Sequence, residues 1–400
     1  MSIARDDASV LPTDLSSGWL GWVAGLAILF VLGALGFLYQ LVVGLGVTNL
    51  SDGFVWGLYI VAFMAFMATA GGTLAIAGAI LLFRAERYMS LVKPSLLLAL
   101  GSVIVAGPMV IADLGNPLRS WGFYIWTEPL SPLTGDFVVV HLFILFPVVL
   151  LWLLSRGDLA ARGSRLAFRS EDTADGRERD KKIASYVGGL ALVTATVFYP
   201  TGWLFAVMQG REAWFDPLLG VMSVTKAILA GIALLAIVVI LADRFTDFEL
   251  KDRVQAHLAT AMGVMVVVHV LYLELAREFP AAWATEATMS DVIGAVLASD
   301  SLLFYGWIII GGVVPLALLL HPSIRRRSMV VLTAGMLVLV GTFLESAYIL
   351  ESGLPGSYLP NAFEFVVMIG FIGLGALIVT IGLLIVPDEE PPLNPTQGDA

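Results

Sequence analysis

The residues best suited to chemistry stand inside stretches that are otherwise apolar. His141, Lys226, His269, Glu345 and Glu364 interrupt long hydrophobic runs, and Asp113 closes another. Burying an ionisable group in hydrocarbon is costly, so such groups normally face a cavity or a partner. Their types suit proton transfer, since imidazole with an ordinary pKa of about 6.5 can take or release a proton near neutrality. Trp56, Tyr59 and Phe63 fall at i, i+3 and i+7 on one helical face. Such a stripe serves as packing, as an interfacial belt, or as the wall of a pocket for a flat ring.

Ten apolar runs must position these groups, at about 18–43, 54–83, 94–112, 137–155, 183–208, 217–242, 254–276, 301–320, 328–350 and 361–386. About 20 helical residues cross ~30 Å of hydrocarbon. Hydrophobic residues make up 58% of the 400, and the mean hydropathy is +0.90. The fold class expected is therefore all-α and polytopic, with ten transmembrane helices. The first run is too long for a signal-peptide core and has no basic flank, so no cleaved leader is expected.

If the helices alternate in direction, 18 of the 22 lysines and arginines fall on one side. The opposite side holds Arg119, Arg211 and Arg277, and Lys226 lies within a run. The positive-inside rule then puts both termini in the cytoplasm. On this topology His141 sits about 7 Å into the fourth helix from outside, at the level of Asp113. His269, Tyr272, Glu274 and Arg277 occupy the outer half of the seventh helix, and Glu345 and Glu364 the outer halves of the ninth and tenth. Lys226, nine residues beyond Pro217, is near the midplane. The polar groups gather in the outer half.

Each has a plainer explanation. Glu274 and Arg277 at i, i+3 form an interfacial ion pair. Asp113 caps its loop through an Asx-turn, His141 is a satisfied structural histidine, and Lys226 snorkels. The net charge of −10 and the topological use of the basic loops argue against a nucleic-acid partner. Zero cysteines exclude disulfides, protein-bound iron–sulfur clusters and thioether-linked haem in this chain. His257 and His269 are spaced for two stacked haems, but axial ligation needs a facing histidine for each iron. The other two, His141 and His321, lie on different helices at unmatched depths.

The organisation expected is a first four-helix bundle over 1–155, a polar cytoplasmic linker over 156–182 and a second bundle over 183–320. An added two-helix hairpin over 321–387 and an acidic, Pro-rich tail over 388–400 follow. The outer loop 113–136 carries Trp121, Phe123, Tyr124 and Trp126, as a membrane-interface belt or as a docking surface. A short surface helix is expected near 288–298. Ala68, Gly71, Gly72, Ala75 and Gly78 give the second helix a small-residue face for close packing.

Several segments resemble the NrfD-like family, the membrane subunits of polysulfide reductase and its relatives. These are GFVWGLYIVAF at 53–63, ATAGGTLAIAGAI at 68–80, ADLGNPLRSW at 112–121, and YPTGWLFAVMQGREAWFDPLLGVMSVTKAILAGIA at 199–233. The aspartate–leucine–glycine–x–proline element after helix three is the most distinctive. The resemblance covers about 50–320, helices one to eight. The ten-helix form is also similar to the quinol-oxidising subunits of alternative complex III.

The resemblance implies two four-helix bundles and a non-covalent quinone (menaquinone or ubiquinone) near the outer surface, with no haem, cluster or metal in this chain. It also implies a prokaryotic cytoplasmic membrane and a periplasmic iron–sulfur partner with four cubane clusters. Beyond that partner lies a molybdopterin catalytic subunit or multihaem cytochromes. The chain would then be a subunit of a quinone-linked oxidoreductase rather than an enzyme alone. A quinol gives up two electrons and two protons, so its site needs partners for both ring oxygens. On this reading His141 bonds one oxygen and moves its proton, Asp113 relays or orients, and Trp56 and Tyr59 wall the ring. Lys226, His269, Glu345 and Glu364 are candidates for a proton path. The competing classes are a secondary transporter whose buried charges line a solute path and a passive membrane anchor.

Overall fold

A computed structural model describes residues 17–385 apart from 127, 162, 169–172, 198–200, 212, 247, 286–287 and 291–300. Most of the expected surface helix near 288–298, and the tail at 388–400, lie outside the described residues. Among them, ten helices are long and apolar enough to cross a membrane. Only helices can use these sequences in hydrocarbon, because each backbone amide must find its partner within the segment.

The chain folds as α1 (Ser17–Val43), α2 (Leu58–Leu82), α3 (Val92–Asp113), α4 (Pro132–Ala161), α5 (Ala174–Thr196) and α6 (Thr201–Ala206). The long α7 (Leu218–Phe245) follows. The seventh span is α8 (Asp252–Val266), a π-helical stretch (Val267–Leu273) and α9 (Glu274–Thr285). The eighth is α10 (Leu302–Ile308), a second π stretch (Ile309–Val313) and α11 (Val314–Leu320). Two uninterrupted helices, α12 (Ser328–Gly353) and α13 (Ala362–Ile385), complete the membrane part.

Helix α2 is the hub, apolar and buried almost all round. It packs on α3 and α5, which with α4 make one group of four. It also packs on α7, which joins α8, the eighth span and α12 in a second group. The small residues of α2 serve the seam between the groups. A Cβ added at Gly72 would run into the Ala227 carbonyl, and one at Gly231 into the Gly72 backbone. Gly72→Val should therefore force α2 from α7 and cost about 1–3 kcal/mol, the usual range for overpacking. Thermal unfolding of the detergent-purified chain measures this, and an unchanged midpoint would show that the seam tolerates the change.

The last two spans do not pair as the expected hairpin. Helix α12 packs on α7 and the eighth span, whereas α13 packs on α1 and α3. Glycines explain the choice, because Gly33 and Gly370 face each other and leave no room for a Cβ on either. The first and last spans thus form a pair outside the two groups, a juxtaposition that hydrophobicity alone does not encode.

The linker expected over 156–182 is also different. Helix α4 runs on to Ala161 and α5 begins at Ala174, within one group rather than between two. Buried Arg156 clamps the turn, pairing with Asp180 at 3.0 Å and donating to the carbonyls of Ala167 (3.2 Å) and Phe168 (2.8 Å). Among the described residues, most of the charges that read as a solvated linker therefore stand on helix ends, and Arg156 and Asp180 are buried there.

Candidate functional site

Asp113, the last residue of α3, is buried against the start of α2, where it accepts the Gly57 backbone N–H. A carboxylate suits a helix N-terminus, whose first N–H groups lack partners. Its bond goes across to α2 rather than into its own loop. The Oδ1 atom is buried and has no hydrogen-bond partner among the described residues. Nearby, the Tyr59 hydroxyl donates to Gln40 Oε1 at 2.7 Å, and Gln40 Nε2 donates to the Ala112 carbonyl at 2.5 Å. Tyr59 is fully buried, so both its faces meet protein and its polar contribution is the hydroxyl relay.

Trp56 is half-buried, with one face stacked on Trp214 (5.8 Å between centroids, 19° between planes) and its ring edge-to-face with Phe205. His141 is exposed. Its Nδ1 lies 2.7 Å from the Phe137 carbonyl and its Nε2 3.0 Å from the Tyr124 hydroxyl. The first contact requires an Nδ1–H donor, which leaves Nε2 to accept from Tyr124. The structure thus brings Tyr59 and Asp113 to one place, with Trp56 beside the same α2 terminus. It sets His141 with Tyr124 and Phe137 on the rim of α4.

Glu364 belongs to the same end of the bundle as Asp113 and not with the other residues expected on a proton path. Its Oε2 accepts the Asn361 N–H at 2.9 Å, while Asn361 Oδ1 accepts the Glu364 N–H at 3.1 Å. That is a capping box at the start of α13. Its remaining partners are the Asn49 N–H and the Tyr358 hydroxyl. The same hydroxyl accepts the Leu58 N–H at 2.8 Å, tying α2 to α13. Burial and the Glu364 carboxylate push the Tyr358 phenol above its ordinary pKa. Asn-x-x-Glu before an apolar run is a helix-start signal legible in the sequence, whereas depth counting alone places this glutamate in lipid.

The other three converge within the second group. Lys226 Nζ lies 3.4 Å from Glu345 Oε1, and His269 Nε2 lies 3.0 Å from Glu345 Oε2, all three side chains buried. His269 Nδ1 contacts the Thr225 hydroxyl at 3.0 Å. A π-helical turn carries His269, the kind of irregularity that often marks functional positions. The ring of buried Trp307 approaches it at 5.9 Å, and its indole N–H has no partner among the described residues. A cavity of about 10 Å³, near the size that admits one water, adjoins Lys226, Ser223 and Thr201. Thr201 in turn donates to buried Asp136 at 2.6 Å.

Glu274 and Arg277 do pair, at 3.7 Å, but the closer partner of Arg277 is Asp216 at 2.9 Å. Sequence reasoning misses Gln40, Asp136, Thr201, Thr225 and Tyr358. Gln40 is discoverable as the lone amide in an apolar run. Asp136 sits at an assumed helix start, where an acid attracts no notice.

The family profile for NrfD, polysulphide reductase, matches residues 46–355. The match takes in the second to ninth spans, so the first and tenth are the additions, not the ninth and tenth. The chain is 37% identical over 96% of both chains to a putative dimethyl sulfoxide reductase membrane subunit of Halobacterium salinarum. It is 23% identical to a selenate reductase subunit of Mesobacillus selenatarsenatis, over 93% of this chain and 96% of that one. It is 22% identical to the menaquinone reductase integral membrane subunit of Nitratidesulfovibrio vulgaris, over 97% of both. With ten apolar spans and a match across most of its length, this chain is a multi-pass membrane protein of the NrfD polysulphide reductase family.

Proposed function

We propose that this chain is the quinone-exchanging membrane subunit of a respiratory oxidoreductase complex, and that quinone meets it at Asp113. The observation that carries the reading is the buried, unpartnered Oδ1 of Asp113. An unsatisfied buried acceptor costs about 1–3 kcal/mol, and a hydroxyl of the quinol fits as its missing partner. Bound quinol supplies two electrons and two protons. Asp113 holds one proton position, and the Tyr59–Gln40 relay fixes the backbone at Ala112 beside it. Trp56 offers an aromatic surface at the same helix end, and His141 with Tyr124 gives a second proton-handling pair at the rim. Buried Lys226, Glu345 and His269 form a separate network for proton movement through the second group.

The relatives named as parts of dimethyl sulfoxide and selenate reductases support catalytic and iron–sulfur subunits as partners. With no cysteine of its own, the chain hands electrons to a cluster in such a partner. Exposed Trp121, Tyr124, Ile125 and Trp126 make the loop after α3 an apolar surface for docking that partner.

The basic asymmetry supports an outside position for this loop and cytoplasmic termini. Because the chain lacks cysteine, single introduced thiols report sidedness cleanly. An impermeant maleimide should label Leu130→Cys in intact cells and spare Phe168→Cys, both sites being exposed. The reverse pattern would overturn the orientation and the partner assignment.

His141→Phe in the purified complex tests the rim. His141 is exposed, so assembly should be unaffected. Quinol turnover should fall roughly 10²-fold, the low end for a general acid–base group, while the partner subunits still exchange electrons with a dye. Normal quinol kinetics would remove His141 from the mechanism. Quinol oxidation that survives both this change and the loss of Asp113 would leave a passive anchor, and solute movement without redox partners would indicate a transporter.

A further inference from the structure

At the end of the bundle opposite Asp113, a cavity of about 730 Å³ lies between α1, α3, α7 and α13, with Phe66 of α2 at its inner end. It exists because α13 is held on α1 and α3 by glycine contacts, Gly370 on Gly33 and Gly375 on Gly101, and so does not cover α7. Its walls run from Leu234 to Thr246 along α7 and from Ile372 to Leu383 along α13. At 1.5 Å per residue these are roughly 17 Å long, close to one leaflet, half of the ~30 Å hydrocarbon thickness. The lining holds no Asp, Glu, His, Lys or Arg. Its few polar groups are hydroxyls and indoles, and Trp22 Nε1 already donates to Thr380 Oγ1 at 3.3 Å.

We propose that this groove binds the hydrocarbon chain of an anionic membrane lipid from the leaflet at the Arg- and Lys-rich end. The length fits one chain, and the lining fits nothing that must exchange protons, which argues against a quinone ring. Charge at the mouth fits the headgroup: Lys93 Nζ reaches the carbonyl of lining residue Leu383 at 3.4 Å, and Arg244 precedes lining residue Phe245. Basic residues at a membrane surface attract anionic headgroups by about 1 kcal/mol each. The first and last spans therefore create a lipid site that the family-matched region 46–355 cannot build alone.

The test uses the full-length chain in its complex, reconstituted in phosphatidylglycerol vesicles doped with a phosphatidylglycerol carrying a diazirine near one chain end. After irradiation, adducts at Phe66, Leu234 and Ile372 should exceed those at lipid-exposed Ile28 and Leu35 about tenfold. Ala376→Phe and Ser102→Leu fill the groove from two different walls. Each should abolish the excess and leave labelling of Ile28 and Leu35 unchanged, which also reports an intact fold. Equal labelling of both regions, or an excess that survives both fillings, would overturn the proposal. So would an excess that appears equally with phosphatidylcholine, or labelling of these walls by a photoreactive isoprenoid quinone in place of the lipid. Asp113→Asn should not alter the groove labelling, so this result stands apart from the quinone reading.

Discussion

Asp113→Asn is expected to give an assembled complex whose quinol turnover is lower by roughly 10²-fold or more, the loss typical when a general acid–base group is removed. The amide keeps the size of the side chain and retains an oxygen for the Gly57 N–H, so α2 keeps its terminal contact. What disappears is a group that can hold a proton at the position of the unpartnered Oδ1. Electron exchange between the iron–sulfur partner and an artificial dye should persist. Tyr59→Phe should affect turnover more mildly, because it removes no proton-holding carboxyl; it leaves the buried Gln40 Oε1 without its donor, a stability cost of about 1–3 kcal/mol. Full quinol turnover in an assembled Asp113→Asn complex would reject this carboxyl as the site.

The second large effect belongs to Lys226. Lys226→Met removes the only Lys or Arg paired with Glu345 among the described residues and leaves the carboxylate buried with His269 alone. Stranding one member of a buried ion pair costs about 3–5 kcal/mol. The double change Lys226→Met, Glu345→Leu should recover most of that loss, since an apolar replacement of a whole buried pair is often neutral or stabilising. Denaturation of the single and double variants reads this directly. If the double variant is stable and turns over quinol, its proton translocation decides the role. Translocation lost with the pair assigns the network to proton movement, and translocation retained reduces it to a structural contact.

Much of the architecture is legible in the sequence because the bilayer leaves few choices. Apolar runs of about 20 residues must be helices, and the small residues of α2 mark a close contact that Gly72 and Gly231 make. Lys226, Glu345 and His269 are each visible as charges too deep to stand alone. Their meeting is not visible, because no local signal links α7, α12 and a π turn in the seventh span. Tertiary pairing also decides what fails. Glu364 has the depth of a path residue and the local pattern of a capping box, and the local pattern prevails. Tyr59 shares a helical face with Trp56, yet Gln40 from α1 claims its hydroxyl. A hairpin is the natural expectation for the ninth and tenth spans as sequence neighbours, whereas the opposed Gly33 and Gly370 favour the first and tenth.

The pairing of α1 with α13 bears on biogenesis. Gln40 arrives on the first span to be synthesised, and Glu364 and Tyr358 come with the last. At ~5–20 residues per second, the first span spends tens of seconds without its mate while the intervening spans emerge. During that interval its glycine face is free for other helices or for an insertion factor. The surroundings of Asp113 are completed only when α13 docks, so a chain stalled before α13 leaves them unfinished. On the proposed reading of Asp113, competence for quinone is then a late event in folding, reached only once α13 has joined α1.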